Sequence, residues 1–190
     1  MSDHYKEYKR FVEGERIYLR EVRFSDVSDN YYHWLNDPEV SQYLETRFIP
    51  HSHERIKSYV KQMEEDLNSI FLAIIEKDKD IHMGNIKIGP INWFHRFADI
   101  SLVIGEKKCW GKGYGTAAIE LLTDYVFNTL NLNKITAGIY AGNIASIKAF
   151  KKAGFIEEGL RKKQRFYKGE YVDEVWYGLL RGEWESVTSA

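Results

Sequence analysis

Apolar residues recur along this chain with two periods, about two and about 3.6 residues, and the switches between them mark out its elements. Ile17-Tyr-Leu-Arg-Glu-Val22 alternates and predicts a first strand. Ser25 and Asp26 can cap a helix over residues 27–35, which Asn36-Asp37-Pro38 ends, because the residue before a proline is pushed out of the helical region. Residues 42–50 read as a short helix and a loop. His51-Ser52-His53-Glu54 opens a second helix running to about Leu67, with Ile56, Val60 and Met63 on one face. Strands are then expected over Ile70–Glu76, 81–91 and Phe97–Ile104. Asp78-Lys79-Asp80 is a turn, and Gly84, Gly89 and Pro90 should bulge or end the middle strand. A helix from residue 116 to about 130 puts Ala118, Leu122, Tyr125 and Val126 on one face, toward a sheet. Ile135, Ala137 and Ile139 alternate in a further strand. Asn143 caps the last main helix and Gly154 stops it. Residues 155–167 and 171–181 form a hairpin about Lys168-Gly169-Glu170. The order β-α-α-β-β-β-α-β-α-β-β is that of an α/β protein with a mixed sheet.

Composition narrows this picture only a little. The 190 residues suit a single domain, and 44% hydrophobic with 15% aromatic residues is a folded composition. Residues 1–13 are polar and expected as a flexible arm, 14–184 as the domain and 185–190 as a tail. A net charge of −1 gives no argument for nucleic acid or an anionic membrane as partner. The one cysteine, Cys109, excludes an internal disulfide and a Cys-rich metal site. No apolar run is long enough to span a membrane, and the N-terminus lacks a signal-peptide core, so the expected location is cytoplasmic. His51 and His53, two apart at a helix start, do not make a metal site, and no metal is expected.

The chemistry concentrates between the strand that ends at Ile104 and the helix that follows. Trp110-Gly111-Lys112-Gly113-Tyr114-Gly115-Thr116 sets three glycines at alternate positions. Glycine lets the backbone turn tightly and approach a ligand closely, and the free N–H groups of a helix's first turn attract phosphate. Strand, glycine turn and helix thus read as a pyrophosphate cradle, or as a plain glycine connector. There is no G-x-x-x-x-G-K-[ST], and no acidic residue ending a second strand as a dinucleotide fold requires. Further on stands Asn143-Ile-Ala-Ser146-Ile-Lys-Ala-Phe150-Lys-Lys-Ala-Gly154-Phe155. Together these two elements resemble the GNAT superfamily of acetyl-CoA-dependent N-acetyltransferases. Trp110 before the first glycine and Asp37-Pro38-Glu39-Val40 resemble its RimJ/RimL-like (ribosomal-protein alanine acetyltransferase-like) branch. The resemblance covers roughly residues 14–184. It implies a single-domain GNAT-like fold with a mixed, centrally splayed sheet of about six to seven strands and about four flanking helices. The pantetheine of acetyl-CoA would lie where strand 97–104 parts from strand 134–140.

Direct acetyl transfer in a ternary complex needs a held thioester, an uncharged amine, a polarised carbonyl and an exit for the thiolate. The resemblance assigns Leu102, Val103 and Ile104 to the pantetheine edge and Lys112 to Thr116 to the pyrophosphate. Asn143 would serve both as cap and as cofactor contact, and Lys148 and Lys151 could meet a phosphate or simply face solvent. Many relatives carry a tyrosine seven residues after the asparagine to protonate the thiolate; this chain has Phe150. A thiol with a pKa of about 8.5 leaves near neutral pH with little help. In the RimJ/RimL-like branch a serine plays the acid role, and Ser146 stands there, unless its hydroxyl is bonded to the backbone. Asp99, on the strand leading to the cradle, is the candidate base, with a salt bridge to Arg96 or another cation as its rival explanation; His95 is a third candidate. Arg165 fills the position of that branch's glutamate. Cys109, without an adjacent His or Asp, reads as a bystander.

Two surfaces compete for the acceptor. Residues 24–46 carry Asp26, Asp29, Asp37, Glu39 and Glu45 without a Lys or Arg, which would attract a polyamine. The hairpin carries Arg161, Lys162, Lys163, Arg165 and Lys168, which would attract a nucleotide-linked amino sugar, with Arg165 as the phosphate fork. Trp34, Tyr43, Phe48 and Trp93 offer stacking surface. A lysine-like amine with a pKa of about 10.4 demands a strong base, and none is obvious here. The expected acceptor is therefore an amino sugar, with a protein N-terminal amine or a polyamine next, and a non-catalytic acyl-CoA-binding module as the alternative of another class. Oligomeric state is left open, a homodimer included.

Overall fold

The computed structural model describes residues 10–188, so residues 1–9 of the expected arm lie outside the described residues. The remainder of that segment forms β1 (Val12–Glu13), which pairs antiparallel with β2 (Ile17–Glu21). A 3-10 turn (Phe24–Asp26), α1 (Asp29–Asn36), α2 (Pro38–Ser41), a second 3-10 turn (Glu45–Phe48) and α3 (His53–Glu65) follow. Then come β3 (Ile70–Glu76), β4 (Ile81–Asn92), β5 (Phe97–Ile104), α4 (Tyr114–Asn128), β6 (Lys134–Tyr140) and α5 (Ile144–Lys152). The chain goes on through the hairpin β7 (Ile156–Tyr167) and β8 (Glu170–Leu180) to α6 (Arg181–Thr188). All eight strands join one sheet in the order β1-β2-β3-β4-β5-β6-β8-β7, antiparallel except for β5 against β6.

Alternation gives the sheet two buried faces. One core packs Ile17, Leu19, Ile74, Ile86, Ile100, Ile135, Ile139 and Tyr177 of the strands against Ile119, Leu122 and Phe127 of α4 and Phe150 of α5. The other packs Tyr18, Ala73 and Ile75 against Tyr31 and Trp34 of α1 and Ile56 and Val60 of α3. The result is a single-domain, three-layer α/β fold.

Several boundaries differ from the sequence reading. Asp26 does not cap α1: its carboxylate takes both guanidinium nitrogens of Arg20 at 2.7 Å and the Arg23 N–H at 2.7 Å, and the helix starts after Ser28. That buried pair outcompetes a local cap. The second helix starts at His53 because the Ser52 hydroxyl accepts from Arg55 N at 3.1 Å. Among the described residues, the eight strands and six helices exceed the number expected through β1 and through two short helices. Of these, α2 is one turn begun by Pro38, and α6 takes up most of the expected tail.

Candidate active site

The parallel pair β5–β6 is joined at three positions only, Phe97–Lys134, Ala98–Ile135 and Asp99–Thr136. Beyond them β5 stays paired with β4 as far as Ile104, and β6 with β8 as far as Tyr140. Between these two banks the sheet opens into a slot. Leu102, Val103 and Ile104 line one bank, half-buried. At the end of that bank Trp110 turns back and its Nε1 donates to the Ile104 carbonyl at 2.7 Å.

The glycine turn follows directly. Gly111 and Gly113 have φ of 71° and 81°, the left-handed region that glycine enters without a Cβ penalty. A Cβ on Gly111 would meet nothing within 4 Å, and one on Gly113 only Arg16 Nη1 at 3.9 Å, so the turn faces open space. Gly113 is the N-cap of α4, so the helix begins at Tyr114, two residues before the expected Thr116. Tyr114 and Thr116 are buried, whereas Lys112 and Gly113 are exposed and Gly115 is half-buried. Behind the turn Arg16 Nη1 donates to the Lys112 carbonyl at 2.9 Å, and its guanidinium lies 4.5 Å from the Tyr114 ring centre. This brace comes from a residue 96 positions away, and no local pattern announces it.

On the β6 bank, Asn143 Oδ1 accepts from Ser146 N at 3.2 Å and caps α5. The Ser146 hydroxyl has no hydrogen-bond partner among the described residues, so the backbone bond weighed for it is not formed. Phe150 is 2% exposed and packs edge-on against Phe155 at 5.0 Å, facing the core. Lys148 and Lys151 are exposed, and Lys151 Nζ lies 5.8 Å from the Tyr177 ring centre. Cys109 is half-buried against the core, and burial pushes its thiol pKa up.

Asp99 stands at the fork of the slot. It is half-buried, and its Oδ1 accepts from the Thr136 hydroxyl across the last parallel pair. It forms no ion pair with Arg96 or any other cation among the described residues. His95 sits in the β4–β5 turn, exposed, its N–H held by Asn92 Oδ1 at 2.9 Å.

On the sheet face that carries Asp99 and Thr136, the register continues through Tyr140, Glu174 and Trp176. Glu174 is fully buried; Arg165 donates to its Oε1 from Nε at 2.7 Å and from Nη2, and Trp176 Nε1 donates to its Oε2 at 2.8 Å. Arg165 also meets Glu45 at 3.1 Å, and Glu45 Oε1 accepts from the Tyr140 hydroxyl at 2.7 Å. Burial, helped by the Glu45 bond, raises the Tyr140 pKa. The phosphate fork expected at Arg165 is therefore committed within the fold. Most of the acidic stretch is committed too: Asp26 to Arg20, and Asp37 and Glu39 to Lys107 at 2.7 and 2.6 Å, whereas Asp29 is exposed with only His53 near it, at 3.4 Å. The Lys107 bond draws the Asp37 pKa down. Of the aromatic residues offered for stacking, Trp34 is core and Trp93 is bonded to Asn68 at 3.1 Å, while Phe48 is 57% exposed.

A slot opened at one parallel strand pair, with a left-handed glycine turn and a helix N-terminus at its end, is the arrangement that the resemblance to acetyl-CoA-dependent enzymes implies. The family model described as Acetyltransferase (GNAT) domain matches residues 16–156, and the chain belongs to the GNAT family of acetyl-CoA-dependent N-acetyltransferases. It is 31% identical over 172 residues to the uncharacterized N-acetyltransferase p20 of Bacillus licheniformis, covering 90% of this chain and 96% of that one. It is 27% identical over 153 residues to a spermidine N(1)-acetyltransferase of Vibrio cholerae, covering 80% of each chain. The crystal structure of spermidine N-acetyltransferase from Vibrio cholerae in complex with CoA and spermine matches with a TM-score of 0.80 at 22% identity, over 90% of this chain and 98% of that one, a likeness of fold. No helix among the described residues is long and apolar enough to cross a membrane.

Proposed function

We propose that acetyl-CoA binds in the β5–β6 slot and that the acceptor is a small primary amine of low charge, an amino sugar first. The observation that carries this is the parting of β5 from β6 after Asp99–Thr136, which leaves a backbone edge running to the open turn at Gly111–Gly113. Unpaired strand groups at residues 102–104 suit the pantetheine amides, and the N–H groups of the Gly113–Thr116 turn suit the pyrophosphate. The cofactor supplies an activated acetyl thioester. Within the chain, Asn143 orients the thioester end, Ser146 offers a hydroxyl to the departing sulfur, and Lys148 and Lys151 stand where phosphate charge would be met. Asp99 takes the amine proton at the fork, held in place by Thr136.

Charge selects among acceptors. On the sheet face that carries Asp99, Arg161 and Arg165 are paired with Glu174, and Arg165 also with Glu45. Asp99 has a hydroxyl partner but no cation among the described residues, so a single amine on an uncharged ring meets one carboxylate, whereas a triply charged polyamine or a nucleotide diphosphate would find little further free counter-charge. The spermidine acetyltransferase among the relatives favours a polyamine as the second reading, and Asp37-Pro38-Glu39-Val40 with Ser146 keeps a RimJ/RimL-like protein N-terminus third. Acetyl-CoA turnover on glucosamine, a nucleotide-linked hexosamine, spermidine and an N-terminal peptide decides. The expected order places free glucosamine first with little salt dependence; a preference for spermidine that fades with salt would overturn it.

A further inference from the structure

Residues 37–48, which carry α2 and the Glu45–Phe48 turn, leave the α1 side of the molecule and reach both banks of the slot. On the β5 bank, Lys107 Nζ holds Asp37 Oδ2 at 2.7 Å and Glu39 Oε2 at 2.6 Å. On the β6 bank, the Tyr43 hydroxyl donates to the Gly142 carbonyl at 3.0 Å and Glu45 accepts from Tyr140. Towards the hairpin, Gln42 Oε1 accepts from the Tyr167 hydroxyl at 2.9 Å, and Arg47 Nη2 donates to the Phe166 carbonyl at 2.6 Å. The segment is a bridge anchored at each end.

One of these anchors lands on the cofactor side. Gly142 immediately precedes Asn143, and its carbonyl also accepts from Ile144 N at 3.0 Å in the first turn into α5. Asn143 N is held by the Tyr140 carbonyl at 2.8 Å. The Tyr43 ring is fixed from both sides, stacked on Tyr167 at 5.1 Å and 17° and tilted against Tyr140 at 5.6 Å. A rigid phenol thus presses one hydrogen bond onto the turn that presents Asn143 and Ser146.

We propose that Tyr43 is a positioning residue. From the acceptor side it sets the Gly142 turn, and through it Asn143 and Ser146, so the bridge that borders the acceptor also tunes the fit of acetyl-CoA. This rests on the assignment of Asn143 to the cofactor. Tyr43→Phe removes the donor and keeps the ring stack, while Lys107, Glu45 and Arg47 still hold the bridge. Calorimetry with acetyl-CoA alone should show Kd rising roughly three- to tenfold, the scale of one hydrogen bond. Amide hydrogen exchange should quicken over residues 143–147 and stay unchanged in α3 and β3. Tyr167→Phe, which deletes the Gln42 bond and leaves Gly142 untouched, should keep wild-type acetyl-CoA affinity. Wild-type affinity with unchanged exchange in Tyr43→Phe overturns the proposal. An equal loss in Tyr167→Phe, or faster exchange throughout the chain, overturns it as well, since either marks general loosening. If the wild type does not bind acetyl-CoA, the cofactor reading falls instead, and exchange over residues 143–147 still decides the role of Tyr43.

Discussion

At Gly113 two demands fall on one residue: a φ of 81° and an open approach to the first N–H groups of α4. A valine there is strained in the backbone and places methyl groups where phosphate oxygens would come. Gly113→Val should weaken acetyl-CoA binding by about tenfold or more, since each tenfold is only about 1.4 kcal/mol, in a protein that still folds. Calorimetry reads this, and unchanged affinity would remove the turn from the cofactor site. Asp99 offers a sharper chemical test. Asp99→Asn can still accept from Thr136 but cannot take a proton. We expect kcat to fall by about 10²-fold or more, with acetyl-CoA affinity kept and the deficit shrinking at high pH, where the amine is already neutral. A loss that is uniform across pH, or that appears as a lower Tm, would mark Asp99 as structural.

Among the elements, the β7–β8 hairpin depends on Arg165 for a reason its sequence hides. Five cations between residues 161 and 168 suggest a ligand surface, yet the partner of Arg165 is Glu174, nine residues later and wholly buried. Arg165→Met strands that carboxylate with only Trp176 and the more distant Arg161, at 3.6 Å. Breaking a buried pair from one side costs about 3–5 kcal/mol; with these helpers left, about 2–3 kcal/mol is expected. Urea unfolding of the variant checks it, and a change below 0.5 kcal/mol, roughly the scatter of surface substitutions, would mean that Glu174 is solvated. The elements themselves were legible wherever periodicity ran for several residues: β3, β5, β6 and the hairpin fall where alternation puts them. What periodicity could not reveal is side-chain partnership across the chain, as between Arg16 and Lys112 or Tyr43 and Gly142. Asp26 looked like a cap for the helix after it, and it was claimed instead by an arginine six residues earlier, on the preceding strand. The glycine turn and the Asn143 segment were legible because they are local signals, and the parting of β5 from β6 was expected from the resemblance they carry; the cluster of Tyr140, Arg165, Glu174 and Glu45 is assembled from distant segments and was not.

Over the whole molecule, acid should loosen the side of the sheet that carries α1. His82 is half-buried beside Trp34 and Tyr31, its Nε2 3.0 Å from the Gly84 carbonyl and 2.9 Å from Asn85 Oδ1. Burial holds its pKa below the ordinary value, against the opposing pull of Asp26 and Asn85. An unfolded imidazole takes a proton near pH 6.5, about where the folded one still refuses it, so stability falls as pH drops through that point towards the folded pKa. Asp26 adds a second limb at lower pH. Burial raises its pKa, but Arg20 and the Arg23 N–H outweigh that and leave it lowered. Its contribution is whole above the unfolded value of about 3.9 and is lost as pH falls through the folded one. His82→Gln should flatten Tm between about pH 7 and 5 and keep a lower limb, which Arg20 and the Arg23 N–H still sustain although His82 also helps to lower Asp26; an unaltered profile would show that the imidazole is not the sensor. The strand order carries one more consequence. β6 lies between β5, which precedes it, and β8, which the chain reaches only after completing α5 and β7. It shares three register positions with the former and seven with the latter. A chain made only through α5 therefore holds β6 by the short parallel pairing and the core beneath it, while most of its edge bonding waits for the returning strand. If the proposed slot is the cofactor site, its second bank depends for its edge on a segment far along the sequence.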